Sequence, residues 1–225
     1  SPPHPTTPAP SPQHTTPPSP SPAASASLGS TWTSLARRFP ATLPYRHMAI
    51  HPYPSGDVFA LELPNGERGT VRPIRPEDAQ MEREFVHRLS EESRFLRFMF
   101  GLHELTPAML SKFTQIDYDR EMALVLAEPG TPGRAEVFGA VHIAADPDGE
   151  QAEFAIMLRG DMAGLGLGPL LMRRIIDYAR SKGVREIIGD VLRENRPMLR
   201  LCELFRFQRR RKEDDPGVIA VHLRL

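Results

Sequence analysis

Between Ala152 and Pro169 the chain reads AEFAIMLRGDMAGLGLGP, and this stretch restricts the fold more than any other. Residues 152–158 suit a buried or half-buried strand. Residues 166–181 suit a long helix with Leu170, Leu171, Ile175, Ile176 and Ala179 on its apolar face. The join between them carries glycines at 164, 166 and 168. Glycine has no Cβ, so such a join lets backbone come close to a bulky anion and lets amides converge on it. Free amides at a helix start also favour phosphate. A glycine-rich turn into a helix can also be a plain turn. Two familiar phosphate loops are excluded: there is no GxxxxGK followed by Ser or Thr, and glycines spaced by two do not meet GxGxxG. Pro169 has no N–H, so the helix start offers one donor fewer.

The elements around this junction alternate in type. VFALELP (58–64) and TVRPI (70–74) read as a hairpin turning at Asn65-Gly66. Arg75-Pro76-Glu77-Asp78 opens a helix that runs to about Arg88, with proline and acids in its first turn. A second helix begins near Ser90 and a third, short one at Thr106-Pro107. MALVLAE (122–128) and EVFGAVHIAA (136–145) read as strands, separated by Gly, Pro and Asp turns. The long helix stops at Lys182-Gly183. EIIGDVL (186–192) is a strand, and 196–205 is a helix capped by Asn195. Phe207-Gln208 and GVIAVHLRL (217–225) complete the sheet. No internal repeat is found. This order predicts an α/β (α+β) fold with a mixed sheet.

The first 45 residues have a different character. Ten of the 24 prolines fall within residues 1–22, and no acidic residue occurs before Leu43, only Arg37 and Arg38 among the bases. Such a composition buries too little apolar surface to offset ordering entropy. Residues 1–45 are therefore expected to be a Pro/Ser/Thr-rich disordered linker, with a domain over 46–225; residues 31–56 could lie against it as an irregular arm. There is no charged leader with an apolar core, so a signal peptide is not expected. Arg37-Arg38 lacks a following apolar run, which disposes of an export signal. His4 and His14 are read as coil rather than as metal ligands. The chain opens on Ser1, as expected of a processed chain or a piece of something longer.

Charge and cysteine narrow the function classes. The 28 basic and 28 acidic residues balance. Without Arg37 and Arg38, residues 46–225 stand near −2, which argues against electrostatic capture of nucleic acid or membrane. Arg209-Arg210-Arg211-Lys212 runs straight into Glu213-Asp214-Asp215 and reads as a solvated hairpin. Arg83, Arg88, Arg94 and Arg97 read as surface charge beside an acceptor groove. One cysteine excludes an internal disulfide framework or a cysteine-rich zinc site. No apolar run approaches the roughly 18 residues that span a bilayer. A cytoplasmic protein without a metal is expected.

Two signatures resemble those of the GCN5-related N-acetyltransferases (GNAT). The first, Gln or Arg, two residues, Gly, one residue, then Gly or Ala, is met by Ala163, Gly166 and Gly168 after a strand ending Ile156-Met157-Leu158. The second is met in part by Asn195, Met198, Leu201, Cys202, Arg206 and Phe207. A helix and a strand separate the two, as the family requires. The chain looks closest to the acetyltransferase domain of bacterial protein lysine acetyltransferases, often fused to NDP-forming acyl-CoA synthetase-like regions. The phrases that carry this are IRPEDA (74–79), FLRFM (95–99), LTPAML (105–110), FTQIDYDREMALV (113–125) and the run from 152 to 168. The resemblance covers about 70–225. It implies a mixed, mostly antiparallel six- to seven-stranded sheet flanked by helices.

The resemblance also implies a chemistry. Acetyl-CoA is the donor, and the favoured acceptor is a lysine of another protein, such as an acyl-CoA synthetase. The alternatives are a small-molecule amine acceptor or a non-catalytic acyl-CoA sensor. A lysine ammonium, with its pKa near ~10.4, must lose a proton before it attacks. Glu153 is the candidate base, since desolvation among Phe154, Ala155 and Ile156 would raise its pKa; the alternative is a glutamate on an open strand face. Glu150 is the nearest substitute, and Asp117, Asp119 and Glu121 could line the acceptor cleft. Met157 and Leu158 would run beside the pantetheine arm, and the Leu158 amide would polarise the thioester carbonyl. Gly164, Gly166 and Gly168, with the amides of Leu165 and Leu167, would cradle the pyrophosphate. Asn195 would either bond the pantetheine arm or only cap its helix. Three residues depart from the pattern. Ala163 replaces Gln or Arg and costs a side-chain contact but no amide. Cys202 replaces a tyrosine that often protonates the leaving thiolate, and is either a weak acid or a buried structural cysteine. Arg206 replaces a glycine, which points to a variant turn.

Overall fold

The computed structural model describes residues 52–225. The expected linker, 1–45, lies outside the described residues, as does most of the irregular arm. The strands are β1 (Phe59–Glu62), β2 (Arg68–Pro73), β3 (Glu121–Ala127), β4 (Val137–Ala145), β5 (Gln151–Leu158), β6 (Glu186–Leu192), β7 (Gln208–Arg211) and β8 (Val218–Arg224). The helices are α1 (Ala79–Arg88), α2 (Glu91–Phe98), α3 (Pro107–Thr114), α4 (Leu167–Ser181) and α5 (Arg196–Leu204). A 3₁₀ turn at Pro76–Asp78 precedes α1, where the sequence suggested one continuous helix.

The strands form one sheet in the order β1-β2-β3-β4-β5-β6-β8-β7. Every pairing is antiparallel except β5 with β6. The sheet has eight strands, not six or seven. Strand β7, expected only as Phe207-Gln208, runs from Gln208 to Arg211 and takes in the arginines expected in a solvated hairpin. Its side chains are all exposed. An edge strand with both faces wet shows no apolar alternation, so only its pairing with β8 reveals it.

The period-2 alternation of β5 sorts its side chains onto two faces. Ala152, Phe154 and Ile156 join the core cluster packed under α4, with Leu171, Met172, Ile175 and Ala179 fully buried. Glu153, Ala155 and Met157 face the other way, toward α1, α2 and α3, where Met81, Phe85, Val86, Leu89 and Phe98 form a second cluster. Two buried ions fix that second layer. Arg72 grips Asp78 through two bonds of 2.6 and 2.7 Å. The Asp78 carboxylate also accepts the amides of Arg75 and Gly133, both at 2.8 Å.

The long helix ends as its sequence suggested. Gly183 has φ +75, its amide donates to Arg180 O, and Val184 N donates to Ala179 O. This is the left-handed stop in which two late carbonyls are satisfied. Helix α5 ends in the same way: Arg206 N donates to Glu203 O and Phe207 N to Cys202 O, with Arg206 at φ +63. The turn is therefore not a variant. Arginine stands in a conformation that glycine adopts without strain.

Candidate active site

Strands β5 and β6 pair at only three positions, the last being Glu153 with Ile188. Beyond that they part. At 189 a Cβ would lie 2.8 Å from Phe154 Cε1, so glycine there admits the Phe154 ring, which packs 5.3 Å from that of Phe207. On the other edge β5 stays paired with β4 to its end. Arg159 N donates to Phe138 O on β4, and Asp146 N to Gln151 O. In an antiparallel ladder, backbone groups alternate in direction. The N–H and C=O of Ile156 and Leu158 consequently point away from β4, into the gap. A cavity of about 510 Å³ fills the gap. Residues 154–158 form one wall, Asp190 and Val191 the other, the glycine loop one end, and Ser93, Leu96 and Arg97 of α2 part of the remainder.

The glycine loop lines this cavity's end through Gly164, Gly166 and Gly168. Gly164 has φ +80 and Gly166, the N-cap of α4, has φ +77; an added Cβ at either meets nothing within 4 Å. Conformation, not crowding, thus demands glycine there. No side chain caps α4. Among the described residues, the amides of 164–168 have no backbone acceptor. Ala163 differs, because its amide donates to Gly160 O at 3.2 Å. The substitution at 163 therefore leaves neither a side-chain contact nor a spare amide. Leu165 and Leu167 contribute backbone; the Leu167 side chain is buried in the core. The side chain of Asn195 caps α5 by accepting the Met198 amide at 3.1 Å, and the residue also lines the cavity. Met157 and Leu158 line it as well.

Glu153 lies half-buried on the α2 face of β5, beside the cavity wall. Burial, reinforced by Asp190, pushes its carboxyl up to about 8, against the opposing charges of Arg97, Lys212 and Lys112. Arg97 is not the surface charge expected of it. It lines the cavity, and burial lowers its guanidinium to about 10 despite the carboxylates of Glu82 and Glu153. Glu82, only 4% exposed, is pushed up to about 7 by burial. A small second cavity lies between Glu82, Arg97 and His142. Burial lowers the pKa of His142, whose Nε2 lies 3.2 Å from the Glu121 carboxylate. Asp190 pairs with the Lys212 ammonium.

Several sequence candidates lie apart from the cleft. Glu150 pairs with Arg185 at 2.8 Å, and Asp119 with Lys182 at 2.8 Å. Asp117 accepts the amide of Asp119 at 3.0 Å. Cys202 is fully buried in the α4-side core, is not part of the cavity wall, and has its thiol pushed up to about 12 by burial. That overturns a role as acid: the thiol neither reaches the cleft nor gives up its proton near neutrality. Asp190, Arg97 and Glu82 are the groups that sequence reasoning missed or misjudged. Asp190 was open to discovery, since alternation along β6 puts it on the same face as Glu186 and Ile188. Among the described residues no helix is long and apolar enough to cross a membrane, and no cluster of His, Cys, Asp and Glu has the makings of a metal site.

A sheet split at a parallel pair, with spare strand amides along the split and spare loop amides at its end, forms a groove suited to an extended ligand with an anionic end. The family model described as an acetyltransferase (GNAT) domain matches residues 68–208. The chain is 36% identical over 170 residues to Acetyltransferase PA5475 of Pseudomonas aeruginosa, a match covering 76% of this chain and 91% of that one. The solved GNAT domain of S. lividans PAT superimposes with a TM-score of 0.68 at 24% identity, covering 77% of this chain and all (100%) of that one. The spermidine N-acetyltransferase of Vibrio cholerae, solved with CoA and spermine, is similar with a TM-score of 0.55 at 17% identity, covering 69% of this chain and 95% of that one. The chain belongs to the GNAT family and is an acetyl-CoA-dependent acetyltransferase.

Proposed function

We propose that the protein transfers acetyl from acetyl-CoA to lysine side chains of a protein acceptor, such as an acyl-CoA synthetase, by direct attack in a ternary complex. The observation that carries this reading is Glu153, a half-buried carboxyl beside the cleft with a pKa of about 8. A carboxylate with that proton affinity is a far better base toward an alkylammonium than an exposed one near 4.5.

The steps follow from the cleft. The pyrophosphate of CoA takes the spare amides of Gly164 to Gly168, at the positive end of α4. The pantetheine arm lies along Met157 and Leu158 in the place β6 vacates, and Asn195, whose Oδ1 caps α5, offers it the NH₂ of its side chain. The Leu158 N–H points into the gap and polarises the thioester carbonyl. Glu153 takes a proton from the acceptor ammonium. The free amine then attacks the carbonyl carbon, the C–N bond forms, and the C–S bond breaks. The attacking nitrogen gives up its second proton to water as the adduct collapses, and the departing thiolate takes a proton from water, since Cys202 is buried away from the cleft.

The test is incorporation of labelled acetyl from acetyl-CoA in a bacterial lysate, comparing wild type with Glu153→Gln. Discrete labelled protein bands that disappear in the variant support a protein acetyltransferase with Glu153 as base. Calorimetric binding of acetyl-CoA without any labelled protein turns the reading to a small-molecule amine.

A further inference from the structure

A second carboxylate, Asp190, lines the cleft near Glu153, where one suffices to take a proton. The pairing of Glu153 with Ile188 puts Asp190 two residues further along β6, on the same face, where the strands part. Asp190 lines the cleft and its side chain is only 16% exposed. It is not left bare. The ammonium of Lys212, from the segment between β7 and β8, is paired with its Oδ2. The Lys212 side chain remains 39% exposed along its stem. A primary ammonium on a flexible alkyl chain thus sits against a cleft-lining carboxylate, and its charge is felt at Glu153. That is the chemistry of the acceptor itself.

We propose that Asp190 is the carboxylate that seats the acceptor's primary ammonium, and that Lys212 holds this seat until an acceptor displaces it. The proposal rests on the amine-acetyltransferase reading with Glu153 as base. The exchange replaces one ammonium by another, so the two carboxylates, with Arg97 of α2 and Lys112 of α3 nearby, keep the same charge balance throughout. Release of Lys212 is compensated, because the incoming ammonium takes over its charge on Asp190 and the freed, partly exposed lysine regains hydration and rotamer entropy. An acceptor lacking the ammonium gains nothing from displacing it. Asp190 thereby acts as a specificity residue, and Lys212 as an internal competitor.

The test is steady-state release of CoA at saturating acetyl-CoA, with Nα-acetyl-lysine methylamide as the varied acceptor. Asp190→Asn is expected to raise the acceptor KM about tenfold while leaving the acetyl-CoA KM in place. Lys212→Ala is expected to lower the acceptor KM severalfold, and to lose that effect when combined with Asp190→Asn. An unchanged or raised acceptor KM in Lys212→Ala overturns the competitor role. An Asp190→Asn variant that turns over with an unaltered acceptor KM overturns the seat. In either case a collapse of kcat in Glu153→Gln shows that the amine reading itself stands. No turnover of the amine by wild type overturns both.

Discussion

The two faces of β5 bury their side chains for opposite ends. Toward α4 lie Phe154 and Ile156, in a core where Ile143, Leu171, Ile175 and Ile187 are fully buried and no charge intrudes. Toward α2, the same strand presents Glu153 to Arg97 and Asp190, with Glu82 enclosed behind. An apolar face stabilises whatever the pH. A face of buried ions loses stability whenever a charge forms without enough compensation. The comparison teaches that charge held on the second face costs stability that the apolar face does not lose.

The largest expected effect breaks the chemical face alone. Glu153→Gln should lower kcat by roughly 10²- to 10⁴-fold, the range of positioned acid–base catalysis, while calorimetry shows acetyl-CoA binding retained. Next comes the apolar face. Leu171→Ala, at a fully buried position, should cost about 3 kcal/mol in urea unfolding. That loss should be the same at pH 5 and pH 8, because no titrating group touches it.

A pH series sharpens the contrast. Glu153 has a value of about 8 in the folded protein against an ordinary 4.5, so between these the folded state holds a proton that the unfolded state has released. Its contribution to stability is full below about 4.5 and falls as pH rises to about 8. Glu82, at about 7, acts in the same direction over a narrower window. Denaturant midpoints should therefore drop across this range in wild type and drop less in Glu153→Gln, while kcat of wild type rises through pH 8. A smaller effect is expected in the glycine loop. Gly166→Ala forces a Cβ into φ +77, which should cost ~1–2 kcal/mol and weaken CoA binding in calorimetry. The smallest is a gain. Arg206→Gly relieves the left-handed strain at φ +63 but frees the unfolded chain, for a net rise of about 0.5–1 kcal/mol in thermal unfolding.

Much of this was legible beforehand, and the reasons are local. The strand–glycine–helix run announced β5, its loop and α4, because alternation, positive φ and a 3.6-residue stripe are each written in consecutive residues. The Lys182-Gly183 stop and the Asn195 cap were legible for the same reason. Glu153 stood out because it interrupts an apolar strand. The full length of edge strand β7 did not stand out beyond Phe207-Gln208, since its pairing partner defines it and its own side chains are all wet. Arg97 looked like any helical arginine, because the carboxylates that draw it inward, Glu82 and Glu153, come from α1 and β5.

The residues by themselves determined the elements, the glycine geometry and the family. They also singled out Glu153 as the candidate base. Only the tertiary structure decided that β5 and β6 part after Ile188, that Cys202 turns into the core, and that the Ala163 amide is already spent. It alone put Lys212 on Asp190. Backbone conformation is set by neighbours in sequence. Desolvation and the meeting of charges are set by which distant segments share a space, and that is fixed only when the sheet closes around its gap.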